Sequence, residues 1–437
     1  MAVDNAAMAK TFRPYAPDQM LLMPPALGDW VPEDHLARFV RDVVDALDLS
    51  AIEDTYTEER GYPPYDPRMM TTVLLYAYCT GTYSSRKIAR QLVDSVACRF
   101  LAAGNQPDFR TLSEFRRRHG AALAALFVQG LKLCRQAGLV KLGRVAVDGT
   151  KLKANASKHK AMSYGRMRTE EARLEQEVRA LLRQAEAADE QEDERYGRER
   201  RGDELPAELA RRASRLQKIR EAKAALEAEA RARAAAEGQP PDDAGPPDTS
   251  QRNFTDPEAK IQKTSDGFIQ GYNAQIAVTG SQIIVAQQVT AAAPDVQHLV
   301  PVVMAISQAL HRKPTGVLAD AGYWSEANVR GLEAKGIEPL IATGRRKHTE
   351  PAPSAPRGRP PQGLSVKERM QRTLATVRGQ RLYARRKAIV EPVFGQIKHA
   401  RGFRQFLRRG LQRVQQEWAL VCLSHNLLKL YAARARG

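Results

Sequence analysis

Apolar positions fall into three regimes along the chain. Up to about residue 140 they recur at helical spacing. In HLARFVRDVVDAL, Leu36, Val40, Val43, Val44 and Leu47 share one face, and Pro32, Glu33 and Asp34 supply a helix start. A turn is expected at Gly61–Pro64. Pro67 then opens PRMMTTVLLYAYCTG, which is apolar nearly all round and so predicts a central helix. Ser84 and Ser85 are expected to cap RKIARQLVDS, and Thr111 to cap LSEFRRRHGAALAALFVQGLKL. These short helices carry Arg86, Lys87, Arg90, Arg116, Arg117 and Arg118. They fit either a helix-turn-helix arrangement or an ordinary helical bundle with a basic surface.

From Val145 the period shortens to two. VAVD reads as a half-buried strand ending in Asp148, followed by a Gly149-Thr150 turn and a basic polar loop, KLKANASKHK. FIQGYNAQIAVTGSQIIVAQQVT holds two alternating runs about Thr279-Gly280-Ser281, a hairpin pattern. DVQHLVPVVMAISQAL follows as a helix. Val317, Leu318 and Ala319 form the next strand, which ends in Asp320. SEANVRGLEAKG is a helix capped by Ser325 and stopped by Gly336, and EPLIAT is one more short strand. RLYARRKAIVEPVFGQIKHARGFRQF and LQRVQQEWALVCLSHNLLKLYAARA return to helix.

Between these regimes, residues 169–237 are dominated by Ala, Glu and Arg. Narrow stripes run through Leu174, Val178 and Leu181, then Leu209, Leu216, Ile219 and Leu226. This predicts a helical hairpin, broken near Gly197–Pro206, whose carboxylates read as a solvated face. Residues 238–250 form a Pro/Gly/Asp linker, and residues 344–366 a Pro/Arg-rich loop. Strands mixed with helices place the chain in the α/β class.

Charge narrows the partners. The 437 residues carry a net charge of +18, which favours a polyanion, nucleic acid first. No acidic residue falls between Pro392 and Gln416, a stretch that holds Lys398, Arg401, Arg404, Arg408, Arg409 and Arg413. Lys151, Lys153, Lys158 and Lys160 lie just past Asp148, suited to phosphates or to a solvated loop. No apolar run is long enough to span a bilayer, and MAVDNAAMAK has no signal-peptide pattern, so a cytoplasmic location is expected. Cys79, Cys98, Cys134 and Cys422 lack metal-ligand spacing and read as reduced core residues.

The candidate chemistry rests on acids. Asp148 and Asp320 each follow an apolar strand and are each followed within two residues by glycine. If the strands are neighbours, both carboxylates meet on one sheet edge. Glu391 lies among Ile389, Val390, Val393, Phe394 and Ile397, where a carboxylate needs a partner. Three such acids can hold two magnesium ions and support in-line phosphoryl transfer. Each alone also fits a cap or an ion pair. Asp256, Asp266 and Glu326 read as turn or helix-start residues. Trp324 either stacks on an unpaired base or belongs to the core.

The order D-G-T, strand hairpin, A-D-x-G-Y, helix, E-P-x-F-G-x-I-K resembles the bacterial insertion-sequence transposases of the DDE type. DWVPEDHLARFV, RGYPPYDPRMM, GTYSSRKIA, PDFRTLSEFRRRH and VAVDGTKLKANASKHK resemble in particular the group numbered eleven eighty-two, among the relatives of families four and five. The resemblance implies a ribonuclease-H-like core, a mixed sheet flanked by helices and interrupted by an insertion. The core would comprise residues 141–168 and 251–437, with a helical, DNA-binding N-terminal domain over 1–140. It implies the triad Asp148, Asp320 and Glu391 holding two Mg2+ ions, with Mn2+ able to substitute. Lys387 and Lys398 would grip DNA, with Arg386 beside them; Tyr383 is one residue off the usual spacing. Lys151, Lys153, Arg401, Arg404 and Trp324 complete the expected DNA contacts. The implied activity is hydrolysis at terminal inverted repeats followed by strand transfer, by a homodimer or larger assembly. A structure-specific nuclease on the same core, or a non-catalytic DNA-binding relic, are the alternatives.

Overall fold

A computed structural model describes residues 26–57, 63–157, 160–196, 207–240, 245–264, 267–344 and 354–435. The N-terminal ten residues, Gly61 and Tyr62 of the expected turn, Lys158, His159, the break at 197–206, residues 241–244 of the linker, Asp266 and residues 345–353 of the Pro/Arg-rich loop lie outside the described residues.

The first part is helical: α1 (Leu36–Asp45), α2 (Ser50–Glu53), α3 (Pro67–Cys79), α4 (Ser85–Asp94), α5 (Val96–Leu101), α6 (Phe109–Arg118) and α7 (Gly120–Gln136). The cap of α6 is Asp108 rather than Thr111: its carboxylate accepts the Thr111 N–H at 2.7 Å. Ser84 precedes α4 without a side-chain cap bond, and the Ser85 hydroxyl accepts from Arg116 instead. Arg116 is buried and also donates to the Tyr83 carbonyl, so it braces α3, α4 and α6 from within. Arg117 pairs with Glu114. Arg116 is thus turned inward, whereas Arg117 and Arg118 stay on the surface.

The sheet consists of β1 (Arg144–Lys153), β4 (Lys260–Thr264), β5 (Gly267–Val278), β6 (Ile284–Thr290), β7 (Gly316–Ala319) and β8 (Glu338–Ile341). β5 pairs antiparallel with β1 along one edge. Its other edge is shared by β4 and β6, both antiparallel. On the far side of β1, β7 and then β8 run parallel to it. β1 is longer than expected. Asp148 does not end it, and Gly149-Thr150 is not a turn, because the antiparallel register with β5 continues to Lys153 opposite Gly271.

Between β1 and β4 the chain makes β2 (Ala161–Ser163), α8 (Tyr164–Tyr196), α9 (Ala207–Ala236) and β3 (Gln251–Asn253). β2 and β3 close the base of the helical hairpin. Met162, Met167, Leu174, Leu216, Ile219 and Leu226 give it a small core of its own. Several of its carboxylates are not merely solvated: Glu177 pairs with Arg212 at 2.9 Å, and Glu171 with Lys223 at 2.9 Å, across the two helices.

The remaining helices are α10 (Leu299–Leu310), α11 (Glu326–Glu333), α12 (Val366–Ala375), α13 (Val377–Gly395) and α14 (Leu411–Arg434). A π turn, Gln396–Ala400, continues α13. α14 joins the two halves of the molecule. Its fully buried Trp418 packs on Phe403 and Phe406, and Phe406 meets Tyr272 of β5. On its other side the Cys79 and Cys134 thiols point to the Ser424 and Asn426 carbonyls. One apolar core therefore runs from α1 and α3 through α14 to the sheet. All four cysteines are buried and free. Among the described residues no helix is long and apolar enough to cross a membrane.

Candidate active site

β1 and β7 pair in parallel through Arg144–Gly316, Val145–Val317 and Ala146–Leu318. The ladder stops there and β7 ends at Ala319, but continuing the same register leads Asp148 toward Asp320, and the two carboxylates are close enough for the Asp320 charge to raise the Asp148 carboxyl. Parallel strands in register turn equivalent side chains to the same face, so both carboxylates leave the sheet together where β7 ends. Asp320 closes the following turn: its Oδ1 accepts the Gly322 N–H at 2.8 Å.

α13 lies over this face. It places Arg386, itself buried, against Asp148, Nη1 to Oδ2 at 3.0 Å. Burial pushes the Asp148 carboxyl up to about 6, against the pull of Arg386 and with the help of the Asp320 charge. The Arg386 guanidinium also lies over the Tyr383 ring, 6.0 Å from its centroid. The basic residue that reaches the acid is thus Arg386, whereas Lys387 is exposed. Beyond the helix, Lys398 in the π turn donates to the Thr150 hydroxyl at 3.0 Å. Thr150 is two residues past Asp148 and on the same face. Two anchors, Arg386 and Lys398, therefore hold this segment along β1. Glu391 lies between them on an exposed position.

The opposite face of β1 carries a polar layer. Gly149 faces Gln275 and Lys151 faces Asn273 in the antiparallel register. A side chain at Gly149 would collide with the Gln275 amide nitrogen and Asn273 Oδ1, which explains glycine at an extended position. Asn273 and Gln275 are fully buried, and both amides donate to Asp295 Oδ1, at 2.6 and 2.8 Å. Lys151 Nζ joins them at 3.2 Å and also donates to the Ala293 carbonyl. The buried Tyr323 hydroxyl donates to Gln275 Oε1. The sequence motifs include Tyr323, as the last residue of A-D-x-G-Y, but not Asp295, Asn273 or Gln275. The available signal was two amides at alternate positions of an otherwise apolar strand, NAQIAV.

The expected site residues divide accordingly. Asp148, Asp320, Arg386 and Lys398 converge. Lys151 is turned away into the Asp295 layer. Arg401 is buried, its Nη1 donating to the Ser424 hydroxyl, because the backbone after the π turn folds it under α14. Arg404 is exposed, and its guanidinium caps the Lys398 carbonyl and meets His399. Lys153 is exposed, and Trp324 packs on the core. Asp256 is a buried acceptor for the Tyr272 hydroxyl and the Gly410 N–H, and Glu326 sits in the first turn of α11.

The paired carboxylates fit a hard divalent cation. Their donors are carboxylate oxygens, the ligand type such an ion prefers. The fit covers two ligands of the expected three. Among the described residues no group of three Asp, Glu, His or Cys side chains comes close enough to hold one ion, so the fold as it stands does not gather Glu391 with the two aspartates.

Comparison with known families bears on both parts of the chain. Residues 25–118 match the family described as "Transposase domain (DUF772)". Residues 244–427 match the family described as "Transposase DDE domain", with Asp320 and Glu391 inside the match and Asp148 upstream of it. No curated protein and no solved structure matches the chain.

Proposed function

From the premise that this chain carries two transposase domains, the second with the ribonuclease-H-like core that its mixed sheet builds, we propose that it cuts the terminal inverted repeats of an insertion sequence and joins the freed 3′ ends to target DNA. The observation that supports this reading most is the parallel β1–β7 pairing, whose continuation leads Asp148 toward Asp320 beneath a helix rich in cations.

In this reading Asp148 and Asp320 hold the divalent ion, and Glu391, which the fold leaves apart from them, joins the set from α13 when the site is loaded. Mg2+, when bound, supplies the Lewis acidity that activates water or a 3′-hydroxyl and steadies the leaving oxygen. The chain's own part is placement. Arg386 compensates the Asp148 charge. Lys398, held at Thr150, and the exposed Lys387, Arg404 and Lys153 offer cations to the phosphates on either side of the cut. α4 and α6, with exposed Arg86 and Lys87, offer a second surface for recognition of the element's end. Two ends are paired in a homodimer or larger assembly, in the cytoplasm. In this reading the chain belongs with the group numbered eleven eighty-two, which its N-terminal motifs resemble.

The test uses full-length protein, Mg2+ and DNA bearing the element's ends. Wild type is expected to nick at the terminus and to join the end to a second duplex, and Asp148→Asn to do neither. Equal cleavage by the two proteins would refute the site. Cleavage without joining would favour a nuclease.

A further inference from the structure

Asp320 has no regular strand beyond it to fix its direction, since β7 stops at Ala319. Its direction depends on the turn Ala321–Tyr323, and that turn is held by the polar layer around Asp295. The fully buried Tyr323 donates its hydroxyl to Gln275 Oε1. Its carbonyl accepts from Asn328 Nδ2 at 2.8 Å, and the same amide holds the Val296 carbonyl at 2.6 Å. Asn328 thus ties the Asp320 turn to the segment that carries Asp295.

Asp295 Oδ1 is the common acceptor of the layer, taking Asn273, Gln275 and Lys151. Its other oxygen faces the same narrow gap as the Asp320 carboxylate. A methyl group on Gly322 would sit 3.0 Å from Asp320 Oδ1 and 3.4 Å from Asp295 Oδ2. Removing the Asp295 carboxylate leaves the buried Asn273 amide only its long bond to the Ala292 carbonyl, 3.4 Å, and the Gln275 amide only Asn273 Oδ1, a loss that side chains relieve by turning. Gln275 cannot turn without releasing Tyr323, and Tyr323 cannot shift without moving the backbone next to Asp320.

We propose that Asp295 is a positioning residue for Asp320: it locks the Asn273–Gln275–Tyr323 layer, and through it sets the direction of one of the two paired carboxylates. The same contact assigns Lys151 to the layer rather than to DNA phosphate. This inference rests on the reading of Asp148 and Asp320 as metal ligands, and its test separates the two.

The measurement is binding of Mn2+ to the DNA-free, full-length protein, followed by the loss of the free-ion paramagnetic resonance signal. Wild type is expected to bind, and Asp148→Asn and Asp320→Asn to lose that binding. Asp295→Ala is expected to weaken it about ten-fold or more, the range typical of residues that orient a ligand. Asp295→Asn keeps an oxygen for the amides and is expected to recover most of the affinity, which a general loss of packing would not allow. If Asp295→Ala does not fold, Tyr323→Phe decides: it removes one hydroxyl from the layer and is expected to weaken Mn2+ by a smaller factor. Wild-type affinity in folded Asp295→Ala, or in Tyr323→Phe when the first variant is unfolded, would overturn the proposal. Binding unchanged in Asp148→Asn would instead overturn the metal-site reading, and this inference with it.

Discussion

Arg386 Nη1 lies 3.0 Å from Asp148 Oδ2, and only 10% and 20% of the two side chains are exposed. The pair is an internal cation facing an acid that is otherwise costly to bury. Truncating one partner of such a pair leaves the other uncompensated. Arg386→Ala is therefore expected to lower stability by about 3 kcal/mol in the absence of divalent ions. Adding Asp148→Asn to it should recover a large part of that loss. Urea denaturation in chelator gives both values; an Arg386→Ala protein as stable as wild type would mean that the ion pair does not form.

The three acids should behave differently in stability and alike in chemistry. Glu391 is exposed, so Glu391→Gln is expected to change stability by no more than about 0.5 kcal/mol. If it completes the metal set from α13, cleavage should nonetheless fall on the order of 10²–10³-fold, the scale of losing one preorganised charge stabiliser. Thermal melting and single-turnover nicking on the same samples separate the effects. Wild-type nicking by Glu391→Gln would remove it from the site and leave Asp148 and Asp320 to act with another ligand.

The basic residues sort by exposure rather than by charge. Lys387 and Arg404 face solvent, whereas Arg401 is buried under α14. Each exposed cation that meets a phosphate lowers the slope of log affinity against log salt by about 1 when removed. Lys387→Ala and Arg404→Ala are expected to show this decrement at unchanged melting temperature. Arg401→Ala should show the reverse pattern, a lower melting temperature with the salt slope intact in the folded protein. A salt titration of end-DNA binding for the three variants is sufficient. A reduced slope for Arg401→Ala would mean that its guanidinium reaches DNA.

Much of this architecture could be read before folding was considered. The short apolar runs VAV and VLA gave both acid-bearing strands, although VAV is not the half-buried strand expected: all six residues are buried, as fits strands covered on both faces. Serine, proline and glycine punctuation located α11 and the start of α3, where the chemistry of the ends is local. What was illegible was non-local. Gly149 looked like a turn residue, yet it is extended, and its lack of a side chain is explained only by Gln275 and Asn273 on another strand. Arg401 and Arg404 are three residues apart in one basic run, but α14 buries the first and not the second. Asp295 has no pattern about it at all: its importance comes from three donors that the sheet delivers from two strands.

A last expectation concerns acid sensitivity, and it lies away from the site. His425 on α14 is buried, with Nε2 2.9 Å from the Gln282 carbonyl at the β5–β6 hairpin, and burial pushes its pKa down to about 3. In the unfolded chain an ordinary histidine titrates near 6.5. Below that pH the unfolded state takes up a proton that the folded state refuses, so stability falls as pH falls, and the loss levels off only near the folded value. This group alone contributes a slope of about 1.4 kcal/mol per pH unit once pH is well below 6.5. His425→Gln keeps a donor for the Gln282 carbonyl and removes the titration. The difference between wild type and variant is therefore expected to be flat above pH 7 and to move steadily against wild type from pH 6 to pH 4. Denaturation curves across that range measure it. Parallel curves for the two proteins would show that His425 is protonated as readily inside the fold as outside it.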